Sequence, residues 1–154
     1  MEQNKETVQD LAALLQEGRT VVFPPTGTSM WPLIRTGDFL EATGLQNLKR
    51  DPKRGDVCIY RRPTGILVVH RMIRREKEAC FFAGDHQCET EGPLPADCIV
   101  GRMTALIRNE KRIPVNRPDV WLSARVWLVL RPLRWKIIRF GSKVKRIFGK
   151  NTKK

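Results

Sequence analysis

The 154-residue chain is poor in the side chains that usually announce chemistry: it has two His, one Tyr and four Cys. Cys58, Cys80, Cys88 and Cys98 form no C-x-x-C pair, which argues against a zinc ribbon. His86 and Cys88, with Cys80 and Cys98 beside them, match no usual zinc spacing, so no metal or other cofactor is expected. Long apolar runs are missing too. A membrane-spanning helix needs roughly 18 uninterrupted apolar residues. The closest approach, residues 126–130, is closed by Arg125 and Arg131. The first residues, Met1-Glu2-Gln3-Asn4-Lys5-Glu6, lack the apolar stretch of a secretory signal. A cytoplasmic location is therefore expected, at most peripheral on the inner membrane face, with reduced thiols.

Acidic residues are absent from one end. From residue 120 onward there are 11 basic and no acidic side chains, which leaves 18 basic and 16 acidic before it, a net of +2. The net charge of +13 thus belongs mainly to the tail. A nucleic-acid-binding role for the whole protein loses most of its electrostatic argument. With 41% apolar residues the remainder can form one core, and the length fits one domain with an appendage. The expected division is a β domain over residues 1–118 and a basic helical tail over 119–154.

Along the chain, Val8, Leu11, Ala12, Leu14 and Leu15 predict a short amphipathic helix ended by Gly18. Strands are predicted at 20–23, 39–42, 56–61, 66–74, 80–83 and 99–108. Pro63-Thr64-Gly65 predicts a hairpin, residues 84–95 a loop, and 111–118 an exit segment. Many short strands separated by turn signals imply a mainly β body.

One turn carries a chemical signal: Gly27-Thr28-Ser29-Met30-Trp31-Pro32. A serine hydroxyl becomes a nucleophile only when a base takes its proton and donors hold the oxyanion. The local pattern also fits a structural turn whose serine caps the backbone. His70, in the strand Leu67-Val68-Val69-His70-Arg71-Met72-Ile73, has an ordinary pKa suited to accepting that proton, though a lone strand histidine also fits a core or rim position. His86 follows Gly84-Asp85 on an acidic loop, and Lys77 sits in a charged turn that offers no desolvation. Asp85, Glu89, Glu91 and Asp97 are the acids available to orient a base.

Six blocks then come in order between about residues 20 and 105: Gly27-Thr28-Ser29-Met30-Trp31-Pro32, Arg35-Thr36-Gly37-Asp38, Arg54-Gly55-Asp56-Val57, Val69-His70-Arg71, Gly84-Asp85, and Ile99-Val100-Gly101-Arg102. In these the chain resembles the serine peptidase clan of type I signal peptidases and LexA-like self-cleaving repressors. The resemblance implies a coiled β-sheet body with Ser29 as nucleophile. Bacterial signal peptidases use a lysine base, whereas Val69-His70-Arg71 resembles the histidine branch, which implies His70 as base. Gly84-Asp85 matches the acid-bearing block, and Glu91 stands where that branch has a second acid. The third member stays open between Asp85 and Glu91, with Asp85 preferred because its residue type is retained. Gly27 stands where signal peptidases often have a serine, an arrangement more like the repressors. The N-terminal membrane anchor of signal peptidases is not expected here. The 28 residues before Ser29 are too few for the repressors' DNA-binding domain.

In the tail, Leu122, Val126, Val129, Leu133, Ile137, Phe140, Val144 and Ile147 recur at three- and four-residue spacing and define one helical stripe. Lys and Arg flank it, Trp121, Trp127 and Trp135 add interfacial rings, and Pro132 predicts a kink. Three readings fit: packing on the body, docking on an anionic membrane surface through residues 119–148, and binding nucleic acid. The membrane is preferred, because Trp and Phe with cations and no acid suit the headgroup region. The expected function is a Ser/His endopeptidase acting on a peptide or protein, in cis or in trans. The alternative is a catalytically silent binding module of the same fold that docks through its tail.

Overall fold

Period-two alternation decides the architecture. In β3 (Val57–Arg61), Val57 and Ile59 enter one apolar cluster while Cys58 and Tyr60 enter another, so this strand is covered on both faces. The first cluster gathers Leu15, Met30, Ile34, Leu40, Val100, Met103 and Leu106; the second gathers Met72, Cys80, Phe82 and Ile99. The sheet therefore runs between two cores.

The computed structural model describes residues 10–120, 122 and 124–130. It is mainly β. The other strands are β1 (Thr20–Phe23), β2 (Phe39–Gly44), β4 (Leu67–Glu76), β5 (Ala79–Ala83), β6 (Glu91–Pro95), β7 (Ile99–Arg108) and β8 (Lys111–Pro114). They form one sheet in the order β1-β2-β7-β3-β4-β5-β6, with β8 added on β7, and every pairing is antiparallel. Residues 10–16 are helical (α1), and 118–120, 122 and 124–130 belong to a second helix (α2).

The expected strands are all present, with boundaries within a few residues. The expected 84–95 loop is corrected: β6 occupies its second half. Glu91, Gly92, Pro93, Leu94 and Pro95 have almost no intrinsic strand preference. They form a strand because the segment lies at the sheet edge, where a proline removes no ladder bond that the neighbour needs. The 111–118 segment likewise contains β8, which pairs with the end of β7. The 63–65 hairpin forms as expected, closed by Arg62 N–H to the Ile66 carbonyl at 2.9 Å.

β4 is the strand that positions chemistry. Its first half pairs with β3, Cys58 opposite His70 and Val57 opposite Arg71. Its second half pairs with β5, with a register shift between Met72 and Arg74. His70 and Arg71 sit at the changeover, and as strand neighbours they project to opposite faces.

Three of the eight residues of the tail's expected stripe lie among the described residues. Leu122, Val126 and Val129 are exposed, at 56%, 47% and 73%, while Val120, Ala124 and Leu128 line a cavity against the body. So α2 packs on the body through the face opposite the stripe. Trp121, Leu133, Trp135, Ile137, Phe140, Val144, Ile147 and Pro132 lie outside the described residues. Among the described residues, no helix is long and apolar enough to cross a membrane.

Candidate active site

Ser29 sits in the connection between β1 and β2, and the residues after it anchor that connection. Met30 and Ile34 are buried in the first core, at 4% and 5% exposure. Trp31 N–H donates to the Thr28 carbonyl at 3.1 Å, and Ile34 N–H to the Met30 carbonyl at 3.0 Å. Gly27 takes φ +85°, a left-handed conformation that only glycine adopts without strain. The serine is thus turned by Gly27 on one side and tethered by a buried Met30 on the other.

The second wall is the segment after β5. His86 N–H donates to the Ser29 carbonyl at 2.7 Å. Gly84 packs so closely that a Cβ there would lie 2.6 Å from the Ser29 carbonyl oxygen and 3.0 Å from Ser29 Cβ. Any side chain at residue 84 would displace the serine. The exposed His86 ring meets the edge of Trp31 at 5.5 Å between centroids.

Between these walls stands His70, 5% exposed. Its Nε2 lies 3.2 Å from Ser29 Oγ, and its Nδ1 lies 3.1 Å from the Tyr60 hydroxyl. Tyr60 donates to Glu91 Oε2 at 2.7 Å, and Glu91 accepts from Arg62 Nε and Nη2, each at 2.6 Å. Glu91 Oε2 is itself 4.0 Å from His70 Nδ1. Tyr60 is held flat by stacking on Phe82, with centroids 4.2 Å apart and planes 14° from parallel.

The protons in this chain follow from charge. Arg62 holds the Glu91 carboxyl below its ordinary pKa, so it is an anion at neutral pH. Burial and then Glu91 push the Tyr60 phenol far above its ordinary value, so it keeps its proton. A phenol has one proton, and the charge-assisted bond to the carboxylate takes it. Tyr60 can then only accept from His70, which puts the imidazole proton on Nδ1. Nε2 is left as the lone-pair nitrogen facing Ser29 Oγ. Burial holds the His70 pKa below its ordinary value of 6.5, Glu91 opposing and Arg62 adding to the shift, so the ring is neutral and basic at neutral pH.

The structure brings Ser29, His70 and Glu91 together through Tyr60. The expectation that preferred Asp85 as third member is revised on geometry. Asp85 is 2% exposed, and its two oxygens accept from Arg71 Nε at 2.8 Å and Nη2 at 2.6 Å. Arg71 also donates to the Gly55 carbonyl at 2.8 Å. This buried pair ties the segment carrying Gly84 and His86 to β4, and so supports Ser29 from behind. Glu89 and Asp97 are exposed.

Two of the sequence blocks likewise bind loops to the sheet. Asp38 accepts from Arg35 N–H at 2.7 Å and from Arg108 Nε and Nη2 at 2.8 and 2.6 Å, which pins the exit of the serine connection to β7. Asp56 accepts from Arg50 Nη1 and Nη2, at 2.6 and 2.9 Å, and from Lys53 N–H at 2.9 Å.

Tyr60 and Arg62 were not singled out from the sequence. Tyr60 is the one tyrosine of the chain, and Arg62 stands two residues beyond it on the same side of the hairpin. Only the β3–β4 register shows that they share a face with His70. Three of the cysteines are held as thiols: burial raises Cys58 and Cys80, and takes Cys98 up to about 11. None of the four cysteines is in a disulfide, and among the described residues no group of three or more His, Cys, Asp or Glu is placed to hold a metal ion.

No protein-family model matches the chain, and no curated protein matches it significantly.

Proposed function

We propose that the chain is a serine endopeptidase with the coiled β-sheet fold of the signal peptidases and LexA-like repressors. The observation that carries this reading is the line Ser29–His70–Tyr60–Glu91, with contacts of 3.2, 3.1 and 2.7 Å. Ser29 Oγ attacks the scissile carbonyl carbon while its proton passes to His70 Nε2. The tetrahedral oxyanion collapses, the C–N bond breaks, and His70 returns the proton to the leaving amine. Water, deprotonated by the same nitrogen, then cleaves the acyl-enzyme. As His70 becomes an imidazolium, its Nδ1–H points at Tyr60 and at the Glu91 charge 4.0 Å away, which stabilises it. Trp31, half exposed beside the nucleophile, offers an apolar face to the substrate.

A serine-reactive acylating probe tests the reading. It should add one acyl group to the peptide containing Ser29, and the Ser29→Ala protein should take none while melting at nearly the same temperature. Equal labelling of both proteins would leave a binding module as the better account.

The tail supports placement at a membrane. The exposed Leu122, Val126 and Val129 face away from the body, and each cation near an anionic surface adds about 1 kcal/mol. The protein should co-sediment with anionic vesicles, weakly but still at high salt, and deletion of residues 119–154 should abolish this. Indifference to anionic vesicles, or preference for DNA or RNA that salt removes entirely, would overturn it.

A further inference from the structure

Away from Ser29, α2, β7 and the 49–57 segment enclose a cavity of about 510 Å³. Its lining carries seven Lys and Arg side chains against one acid, Asp56. That imbalance is local, because the chain before residue 120 is nearly neutral. Two of the cations are held by paired hydrogen bonds to a carboxylate: Arg50 by Asp56, and Arg71 by Asp85.

Arg102 is different. Its side chain is 12% exposed, and its nearest carboxylate, Asp56 Oδ2, is 3.6 Å from Nη1, beyond hydrogen-bond range. Both Nε and Nη1 are shielded from solvent and have no hydrogen-bond acceptor among the described residues. A guanidinium never gives up its charge, so keeping one in such a place is costly unless something accepts from it. Lys49, Lys53 and Arg54 stand exposed at the rim of the same cavity. Beside Asn116 and Arg125, the remaining wall has an apolar part built from Leu33, Met103, Val115, Val120 and Leu128.

We propose that this cavity binds a phosphate-bearing amphiphile, its phosphate on Arg102 and its apolar part against Met103, Val115 and Leu128. One carboxylate would occupy one guanidinium fork and leave the rim cations unmatched. A phosphate offers more charge and more acceptor oxygens. The chain's own end has the wrong sign to be the occupant, with 11 basic and no acidic residues from 120 onward. The volume lies within the range of small-molecule pockets, roughly 300–1,000 Å³.

The test uses the full chain and two probes, inorganic pyrophosphate and dihexanoyl phosphatidic acid below its micelle concentration. Binding is read by calorimetry and by melting temperature. Dihexanoyl phosphatidic acid should saturate one site and raise the melting temperature. Arg102→Met should weaken it roughly 10–100-fold, as expected for loss of a charged hydrogen-bond pair. The exposed double variant Lys53→Gln/Arg54→Gln, which has no buried contact to lose, should weaken it several-fold and flatten its salt dependence. Phosphatidic acid binding 10-fold or more tighter than pyrophosphate identifies a lipid headgroup as the source. Equal binding would leave the apolar wall without a role and overturn the amphiphile in favour of a free phosphate. The proposal is overturned if neither probe saturates a site, or if both variants bind as the unaltered protein does. Because the lipid is monomeric and the peptidase reaction is not measured, failure here leaves the Ser29 reading and the vesicle result untouched.

Discussion

Replacing His70 by Ala should slow acylation of Ser29 by about 10⁴–10⁶-fold, the scale on which a serine hydrolase loses its general base. The residual rate should become indifferent to pH across the acidic range. In the unaltered protein the acidic limb should have its midpoint below 6.5, because burial of His70 lowers its pKa from that value. The sign also fixes a stability effect. A ring that binds its proton less readily in the folded state than in the unfolded chain contributes stability that is present above pH 6.5 and lost as pH falls through the folded value. Unfolding followed against pH should show this loss, and the His70→Ala protein should lack it. Full activity in that variant, or an acidic limb that survives it unchanged, would remove His70 from the mechanism.

Much of this site could be read before any coordinates, and the reasons are local. Ser29 and His70 lie in short segments whose chemistry is written in consecutive residues: a turn that only glycine can start, and a strand that carries one histidine after an apolar run. The strands rich in β-branched and aromatic residues, such as β3 and β7, were equally plain. What stayed hidden depends on pairing. β6 has the residues of a loop and is a strand only because β5 is beside it. Tyr60 looks like another core aromatic until the register sets it on the face of His70. Residue type favoured Asp85 over Glu91, but both are acids on one short stretch and type alone does not place them. They are separated by their cations. Arg71 leaves β4 on the face opposite His70 and takes Asp85, while Arg62 carries Glu91 to the His70 face. The cavity at Arg102 was invisible for the same reason, because its cations come from four separate stretches of chain.

That division of labour makes the relay testable one atom at a time. Tyr60→Phe keeps the stack on Phe82 and removes only the hydroxyl, so the fold should hold, at a cost of about 1–3 kcal/mol for the partners left behind. Without that oxygen nothing fixes the proton on Nδ1, and the fraction of rings with Nε2 ready to accept from Ser29 falls. Acylation should drop about 10²-fold with the acidic limb nearly in place, since Glu91 keeps its charge 4.0 Å from the ring. Glu91→Gln should do more, about 10²–10⁴-fold, and should move the limb. Glu91 is the group that raises the His70 pKa and Arg62 one that lowers it, so neutralising Glu91 and freeing Arg62 both shift the limb to lower pH. A residue with a merely structural role would not produce that direction. Asp85→Asn supplies the contrast. It breaks a pair in which both side chains are almost fully buried, at 2.6 Å, and should cost several kcal/mol of stability while the limb of the surviving folded protein stays where it was. If instead Asp85→Asn moves the limb and Glu91→Gln leaves it fixed, the acid that serves His70 is Asp85. The Tyr60 bridge is then packing alone.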